Sequence, residues 1–363
     1  MNAIFPVMKS TMNRGAARVA CLVPVFLSLL LGSGIGLTAQ VPAQYLTGSK
    51  LGDIALADGG GFLAAFAGEG LNFGMQALLS SDGRLSLADE MLASSMTELS
   101  GIPLALSGSP DSIGLSAFGA ALWGAESLTN AAYGPYSLPS QWSFWAKNNL
   151  TMYRAYDAYA SFRLRSPAWD NSGFKRYGYL DLAAASFDPK NLGSPYLWAG
   201  VGIASVGVAL PYLLDSSKLS KAVWSTGEFY IQDKKVDPAA FALAMGAYNV
   251  TGSIYTGIGE ESAFRGFLHE ELSSSLGRPW AMVVDTGAFA LMHLLTDIIR
   301  GQMSKPEIAI HVLSVSASNI ILDLAYDRGG LALASATHAW IDIFALGFSS
   351  LATGGAAALN SGH

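Results

Sequence analysis

The chain has 363 residues, of which 51% are hydrophobic and only 13% are charged, and its mean hydropathy is +0.35. Soluble domains carry about 25% charged residues, so this composition indicates a membrane protein. The net charge of −6 excludes the basic surface that a nucleic-acid-binding protein needs. A single cysteine, Cys21, excludes an internal disulfide framework and a cysteine-rich metal site.

The N-terminus has the residue order of a secretory signal. Basic residues precede an apolar run over residues 19–31, and small residues follow up to Ala39. This order predicts a signal peptide over residues 1–39, with an uncleaved anchor helix as the alternative. Both interpretations direct the chain to a membrane.

Residues 40–191 are rich in Gly, Ala, Ser and Leu. Their apolar stretches, Ile54–Phe66 and Leu115–Trp123, are shorter than the roughly 18–20 residues of a membrane span. The segment Trp142–Arg165 has the apolar spacing of an amphipathic helix, with an aromatic stripe that is typical of core or interfacial packing. We therefore predict a mostly helical N-terminal region.

From residue 192 onward, long apolar segments alternate with short polar ones. Five segments are predicted to span the membrane: Tyr196–Leu214, Pro238–Ile258, Trp280–Ile299, Ile308–Tyr326 and Leu331–Leu351. They must be helices, because backbone polar groups in lipid have to be satisfied within the segment. The predicted fold class is all-α: a polytopic transmembrane helical bundle of about five spans, preceded by a signal peptide and a mostly helical N-terminal region.

The lysines and arginines between these spans predict the orientation. Six of them follow the first and third spans, against three after the second and fourth. Since cytoplasmic loops are enriched in basic residues, residues 40–191 are predicted to lie outside the cytoplasm. The export signal and the single cysteine favour a multi-pass protein of a bacterial inner membrane.

Ionisable side chains inside apolar spans are costly and therefore mark functional sites. The first such group contains Glu260, Glu261 and Arg265. Glu261 and Arg265 are four residues apart on a helix, so they face each other and can pair. Glu260 is rotated by about 100° from its neighbour and stays free to take a proton.

Two further pairs lie in the helices that follow, Phe289 with His293 and His338 with Asp342, each four residues apart. A lone histidine in an apolar helix is more often a packing residue than a functional one. One glutamate and two histidines together, however, can activate a water and stabilise an oxyanion, or hold a metal ion.

These motifs resemble the CAAX-protease and bacteriocin-processing family of intramembrane proteases, also called the ABI family. That family has a Glu-Glu pair followed after three residues by Arg, which corresponds here to Glu260, Glu261 and Arg265. Its second motif is an aromatic residue with a histidine at the fourth position, and its third is a histidine with Asn or Asp at the fourth position. Both match the two helical pairs, and the resemblance covers roughly residues 195–355.

The resemblance implies an intramembrane endopeptidase that cleaves a peptide or a membrane-protein substrate in the lipid bilayer. The general base would be Glu260, acting on a water that His293 also holds, and His338 would stabilise the oxyanion. The implied catalytic residues are Glu260, His293, His338 and Asp342, and the implied supporting residues are Glu261, Arg265, Phe289 and Asn319. No cofactor is expected, and zinc held by Glu260, His293 and His338 is the open alternative.

The sequence pattern and the resemblance together predict the domain organisation: a signal peptide or anchor helix over 1–39, an N-terminal region of unassigned role over 40–191, a CAAX-protease-like transmembrane catalytic domain over 192–355 and a flexible tail over 356–363.

Asp342 departs from the more usual asparagine of the family. An asparagine can donate a hydrogen bond to an oxyanion, whereas an ionised aspartate cannot. We therefore expect Asp342 to orient His338, as a carboxylate beside a ligand histidine does.

Two other functions stay open. The first is a non-proteolytic membrane scaffold or bacteriocin-immunity-type protein with the same fold, against which the intact motif set argues. The second is a binding module over residues 40–191 that the membrane domain merely anchors.

Other polar residues of the membrane domain are given less weight. His269 begins a segment like a zinc-protease helix, but Ser273 stands where the second histidine is required. His311, Asn319 and Asp323 are predicted to form hydrogen bonds between helices.

Overall fold

The computed structural model describes residues 112–133, 137–215, 217–218, 227–231, 234–300 and 303–353. Within these residues the chain is mostly helical, as the sequence predicts. The predicted leader over 1–39, the apolar stretch Ile54–Phe66 and the tail over 356–363 lie outside them.

The described residues divide into two compact units. The first contains helix α1 (Ser112–Tyr133) and residues 150–176, and the second contains residues 137–149 and 177–353. Helix α2 (Leu138–Arg165) contributes residues to both. The second unit therefore includes residues N-terminal of position 192, where the sequence predicts the membrane domain to begin.

In the first unit, α2 is buried on its polar side as well as on its aromatic stripe. Tyr153, Tyr156 and Tyr159 are at most 1% exposed, which confirms that they are packing residues. Asp157, which is also buried, accepts a hydrogen bond from Arg176 Nε at 2.6 Å. This ion pair compensates the burial of charge, so the helix lacks the solvated face that an amphipathic pattern predicts.

After its part of α2, the second unit continues with two short helices and ends with a long one. Its elements are α3 (Tyr179–Ala185), α4 (Pro189–Leu192), α5 (Pro195–Leu214), strands β1 (Phe229–Ile231) and β2 (Lys234–Val236), α6 (Pro238–Ala263), a π-helical segment (Phe264–His269), α7 (Glu270–Leu276), α8 (Arg278–Arg300) and α9 (Lys305–Thr353). Proline occupies the first turn of α4, α5 and α6, where its missing N–H costs nothing. Asp237 caps α6 by accepting hydrogen bonds from the N–H groups of Ala239 and Ala240.

The hairpin of β1 and β2 is absent from the sequence-based prediction, which places only a polar loop there. The strands pair antiparallel, with Phe229 opposite Val236 and Tyr230 opposite Lys235. The ring of Phe229 packs against Phe241 of α6, with ring centroids 5.0 Å apart. This contact fastens the hairpin to α6.

Helix α9 is broken at Gly330, whose backbone has φ = 69° and ψ = −167°. Glycine adopts positive φ without the steric cost that a Cβ would impose. The break separates an arm over 305–329 from an arm over 331–353, which correspond to the last two predicted spans.

Of the described helices, α5 and α9 are long and apolar enough to cross a membrane by length and composition. The arrangement of five spans stays a prediction.

Small residues let α5 and α6 approach α9 closely. A Cβ on Gly200 of α5 would lie 2.6 Å from Cδ1 of Ile341, and a Cβ on Gly257 of α6 would lie 2.7 Å from the carbonyl oxygen of Ser335 and 2.9 Å from the amide nitrogen of Ala339. Membrane helices use small residues in this way to bring their backbones together. The contact at Gly257 places α6 beside the segment of α9 that carries the histidine of the third motif.

The close packing at Gly257 predicts an asymmetry between two glycines of α6. Gly257→Ala should destabilise the protein by about 1–3 kcal/mol, because the added methyl group meets α9 backbone atoms that cannot move aside. Gly252→Ala is the matched control, since nothing lies within 4 Å of its added Cβ, and it should be neutral or slightly stabilising. Thermal unfolding in detergent measures both, and equal melting temperatures for the two variants would contradict the predicted contact.

Candidate active site

Glu261 is the carboxylate that joins the first and third motifs. Its Oε1 accepts a hydrogen bond from Nη1 of Arg265 at 3.0 Å, which confirms the predicted pairing one helical turn apart. The same oxygen accepts a second hydrogen bond from Nδ1 of His338 at 2.6 Å. Glu261 and Arg265 are fully buried, so α6 and α9 are connected by a charged contact shielded from solvent.

The guanidinium of Arg265 reaches further groups on two other elements. Its Nε lies 3.0 Å from Oδ1 of Asp323 on α9 and 3.5 Å from Oδ2 of Asp285 on α8. Its Nη2 donates to the backbone carbonyl of Asn319 at 3.1 Å and also to the side-chain oxygen of that residue. Asn319 in turn donates from Nδ2 to Thr286 Oγ1 at 3.0 Å, which confirms that Asn319 and Asp323 bond between helices.

Glu260 differs from its neighbour in having no strong partner. Its Oε2 is buried and makes no hydrogen bond within the described part of the chain. That oxygen lies 3.8 Å from Nε2 of His338, close enough for an electrostatic contact but too long for a hydrogen bond. An unpaired carboxylate at this position is available to bind a water and to take its proton.

The first histidine is held in one tautomer by its own helix. Nδ1 of His293 lies 3.0 Å from the carbonyl oxygen of Phe289, one turn earlier, so Nδ1 carries the proton and donates. Nε2 of the neutral ring is then left with a lone pair that can accept a hydrogen bond. The ring of Phe289 lies 4.6 Å from that of His293 and 6.1 Å from that of His338, measured between centroids.

Asp342 stands on the other side of the His338 ring from Glu261. Its Oδ2 lies 3.6 Å from Nε2 of His338, which is too long for a hydrogen bond. Glu261, rather than Asp342 as the sequence suggests, therefore makes the hydrogen bond that orients His338. A carboxylate one turn along the same helix reaches the ring only from its Nε2 edge, whereas Glu261 approaches Nδ1 from α6.

A cavity of about 420 Å³ opens beside these groups, between α5, α8 and α9. Among the motif residues, it is lined by Phe289, His293, His338 and Asp342. Much of the rest of the wall is apolar, with Ala204, Val208, Pro211, Ile310, Val315, Leu322, Ile341, Ala345 and Leu346. Many of the remaining lining residues are polar or charged, among them Lys218, Asp297 and Glu307. A cavity that combines apolar walls with convergent polar groups is the usual form of a substrate site.

Asp297 lines the same cavity, although the sequence patterns predict no specific role for it. Nδ1 of His311 donates to Oδ2 of Asp297 at 2.6 Å, which confirms that His311 bonds between helices. The ring of His311 also lies 5.8 Å from that of His293, measured between centroids. An ionisable residue in an apolar helix, such as Asp297, is a candidate functional residue from sequence alone. Its partner could not be predicted, because that partner is fourteen positions away on another helix.

Two further residues were not assigned from sequence, His269 and Asp285. Within the described residues, one group of potential metal ligands is close together: His269, Asp285 and Asp323. One ligand atom from each of them lies within 4.8 Å of the other two. The set proposed from sequence for zinc (Glu260, His293 and His338) is not brought together in this way. Metal use at the predicted catalytic set therefore stays untested.

Residues 242–344 match the family model Rce1-like, described as type II CAAX prenyl endopeptidase Rce1-like. Over this segment, the chain is similar to the CAAX-protease family. The matched segment contains all three motifs, from Glu260 to Asp342, and confirms the resemblance predicted from them. At family level it supports a protease embedded in the membrane. No curated protein and no solved structure matches the chain.

The buried charges predict that Arg265 is required for stability. Arg265→Ala should destabilise the protein by about 3–5 kcal/mol, because it strips the shared cation from three buried carboxylates. The control is Arg278→Ala, whose side chain is 70% exposed and contacts Asp327 at 3.5 Å, and which should change stability little. Chemical or thermal unfolding in detergent measures the stability of both variants. Similar losses of stability in the two would contradict the prediction that the buried contacts of Arg265 contribute more than an exposed ion pair.

Proposed function

We propose that the chain is an intramembrane endopeptidase that cleaves a peptide or membrane-protein substrate with a water activated by Glu260 and His293. The observation that carries this proposal is the unpaired carboxylate of Glu260, 3.8 Å from His338. The cavity lined by His293 and His338 gives a substrate access to the histidines beside this group.

The proposed hydrolytic step uses two hydrogen-bond acceptors, Nε2 of His293 and the carboxylate of Glu260. The lone pair on Nε2 of His293 accepts one hydrogen of the water, and Glu260 accepts the other as a proton. The water oxygen attacks the scissile carbonyl carbon, and the carbonyl π bond becomes an oxyanion. Glu260 then returns its proton to the leaving amine nitrogen as the C–N bond breaks, so that one carboxyl group serves as base and then as acid.

The oxyanion is stabilised from the opposite side by His338. Because Nδ1 donates to Glu261, a second proton on Nε2 makes this nitrogen a donor that faces the cavity. The carboxylates of Glu260, Glu261 and Asp342 surround the ring and favour the charged imidazolium. An ionised Asp342 thus supports the donor electrostatically, and a charged donor held in place before reaction is an efficient oxyanion ligand.

The cavity wall indicates the class of substrate. Its aliphatic residues on α5 and α9 suit an apolar stretch of polypeptide, and His293, His338 and Asp342 line the same cavity. We propose a multi-pass protein of a bacterial inner membrane, with residues 40–191 outside the cytoplasm, that requires no cofactor. The intact motif set favours this enzyme over a non-proteolytic scaffold of the same fold.

Peptide cleavage by the purified full chain in liposomes tests the proposal. Glu260→Gln and His293→Gln should each lower kcat/KM by about 10²–10⁴-fold, the usual contribution of an acid–base group. Glu228→Gln on the exposed hairpin is the matched control and should retain activity. Activity should also survive a chelator, because no metal takes part in the proposed step.

Three results would contradict parts of this scheme. Full activity of Glu260→Gln would exclude this residue as the base. Loss of activity with chelator and recovery with zinc, together with loss of the bound zinc in Glu260→Gln and His293→Gln, would make Glu260, His293 and His338 metal ligands. No cleavage of a diverse peptide library by folded wild-type protein would favour the scaffold function.

A further inference from the structure

A second polar cluster lies beyond the Glu261–Arg265 pair, away from the cavity lining. His269 ends the π-helical segment, Asp285 lies on α8 and Asp323 lies on α9. The exposed fraction is 1% for His269 and 0% for both aspartates. Nδ1 of His269 lies 3.5 Å from Oδ1 of Asp323 and 4.0 Å from Oδ2 of Asp285.

The imidazole of His269 is buried without the hydrogen bonds that such a group needs. Neither of its ring nitrogens has a hydrogen-bond partner within the described residues, and the same holds for Oδ1 of Asp285. The distances from Nδ1 to the two aspartates are too long for hydrogen bonds. A buried polar group without a hydrogen bond is destabilising. The position of this unpartnered ring beside two carboxylates therefore requires an explanation.

The carboxylates of this region outnumber the cations beside them. The guanidinium of Arg265 contacts Glu261, Asp285 and Asp323, and of these three only Glu261 also contacts His338. Arg265 and the three carboxylates are fully buried, and a buried charge is costly unless it is compensated. The cluster therefore has the electrostatic character of a cation site.

The donor set suits a transition-metal ion. One imidazole nitrogen and two carboxylate oxygens lie within 4.8 Å of one another, and zinc bonds to such ligands are about 2.0–2.2 Å long. A carboxylate oxygen has a lone pair for a metal beside the one that accepts from Arg265. Magnesium and calcium prefer all-oxygen ligands, whereas imidazole favours zinc and its neighbours.

The surroundings hold these ligands in place. Arg265 hydrogen-bonds Asp323, and the ring of Tyr326 packs edge-on against His269 with centroids 5.7 Å apart. The hydroxyl of Tyr326 donates to Glu270 at 2.9 Å, which fixes the ring. Packing thus orients the His269 ring, and a hydrogen bond orients the carboxylate of Asp323.

We propose that His269, Asp285 and Asp323 bind one divalent transition-metal ion, with Zn²⁺ as the preferred type. The ion links the π-helical segment, α8 and α9. Its role is structural, because its ligands join three segments of the chain and differ from the residues proposed to act on the substrate.

Metal analysis of the full chain tests this proposal. The protein is purified in detergent through a tag that contains no histidine, stripped with EDTA, incubated with Zn²⁺ or Mg²⁺ and desalted. We expect about one equivalent of zinc per chain by mass spectrometry, no retained magnesium, and a higher melting temperature with zinc than without it. His269→Gln and Asp323→Asn should lose both the zinc and the rise in melting temperature, whereas the matched histidine control, His293→Gln, should keep both.

The outcomes separate this site from the proposed catalytic set. Zinc lost in His293→Gln but kept in His269→Gln would overturn the proposal and place the metal at the catalytic residues. Wild-type protein that binds no zinc and shows no thermal shift would also overturn it, and this measurement does not depend on the folding of any variant. Peptide cleavage is not a readout here, so a failure of the proposed protease function would leave the result interpretable.

Discussion

The packing of the second unit depends on the contacts that the buried guanidinium of Arg265 makes with carboxylates of three helices. This group contacts Glu261 on α6, Asp285 on α8 and both Asp323 and Asn319 on α9. Arginine suits this position because its planar group offers five donors in fixed directions and stays charged when buried. Three helices are thus held around one cation, and the carboxylates of Asp285 and Asp323 would lose this compensating charge without it.

The same network reaches the proposed reactive groups through one oxygen atom. Oε1 of Glu261 is shared between Arg265 and His338, so the contact that stabilises the helices also sets the orientation of the His338 ring. Glu260 is excluded from this arrangement by its rotation about the helix axis, and its Oε2 makes no hydrogen bond within the described residues. Adjacent glutamates of one sequence motif therefore differ in their contacts, and we propose different roles for them.

Close helix packing supplies the geometry that these polar contacts need. Gly257 lets the backbone of α6 meet α9 near His338, and Gly200 does the same for α5 near Ile341. Where the helices are held together, the charges of Glu261 and His338 come within hydrogen-bonding distance. Where α5, α8 and α9 diverge, they leave the cavity whose polar lining includes His293 and Asp342.

The sequence by itself determined the relations that depend on spacing within one helix, namely the pairing of Glu261 with Arg265 and the family that the three motifs identify. It also indicated that Asn319, His311 and Asp323 bond between helices, because polar side chains in apolar helices need partners. Only the tertiary structure decided which partners those are. It joined Glu261 to His338 across 77 positions, gathered His269, Asp285 and Asp323 into one cluster, and showed a hairpin where lysines obscure the strand pattern. The physical reason is that helical periodicity determines which side of a helix a residue occupies. The contacts of that residue depend instead on how helices distant in sequence pack together.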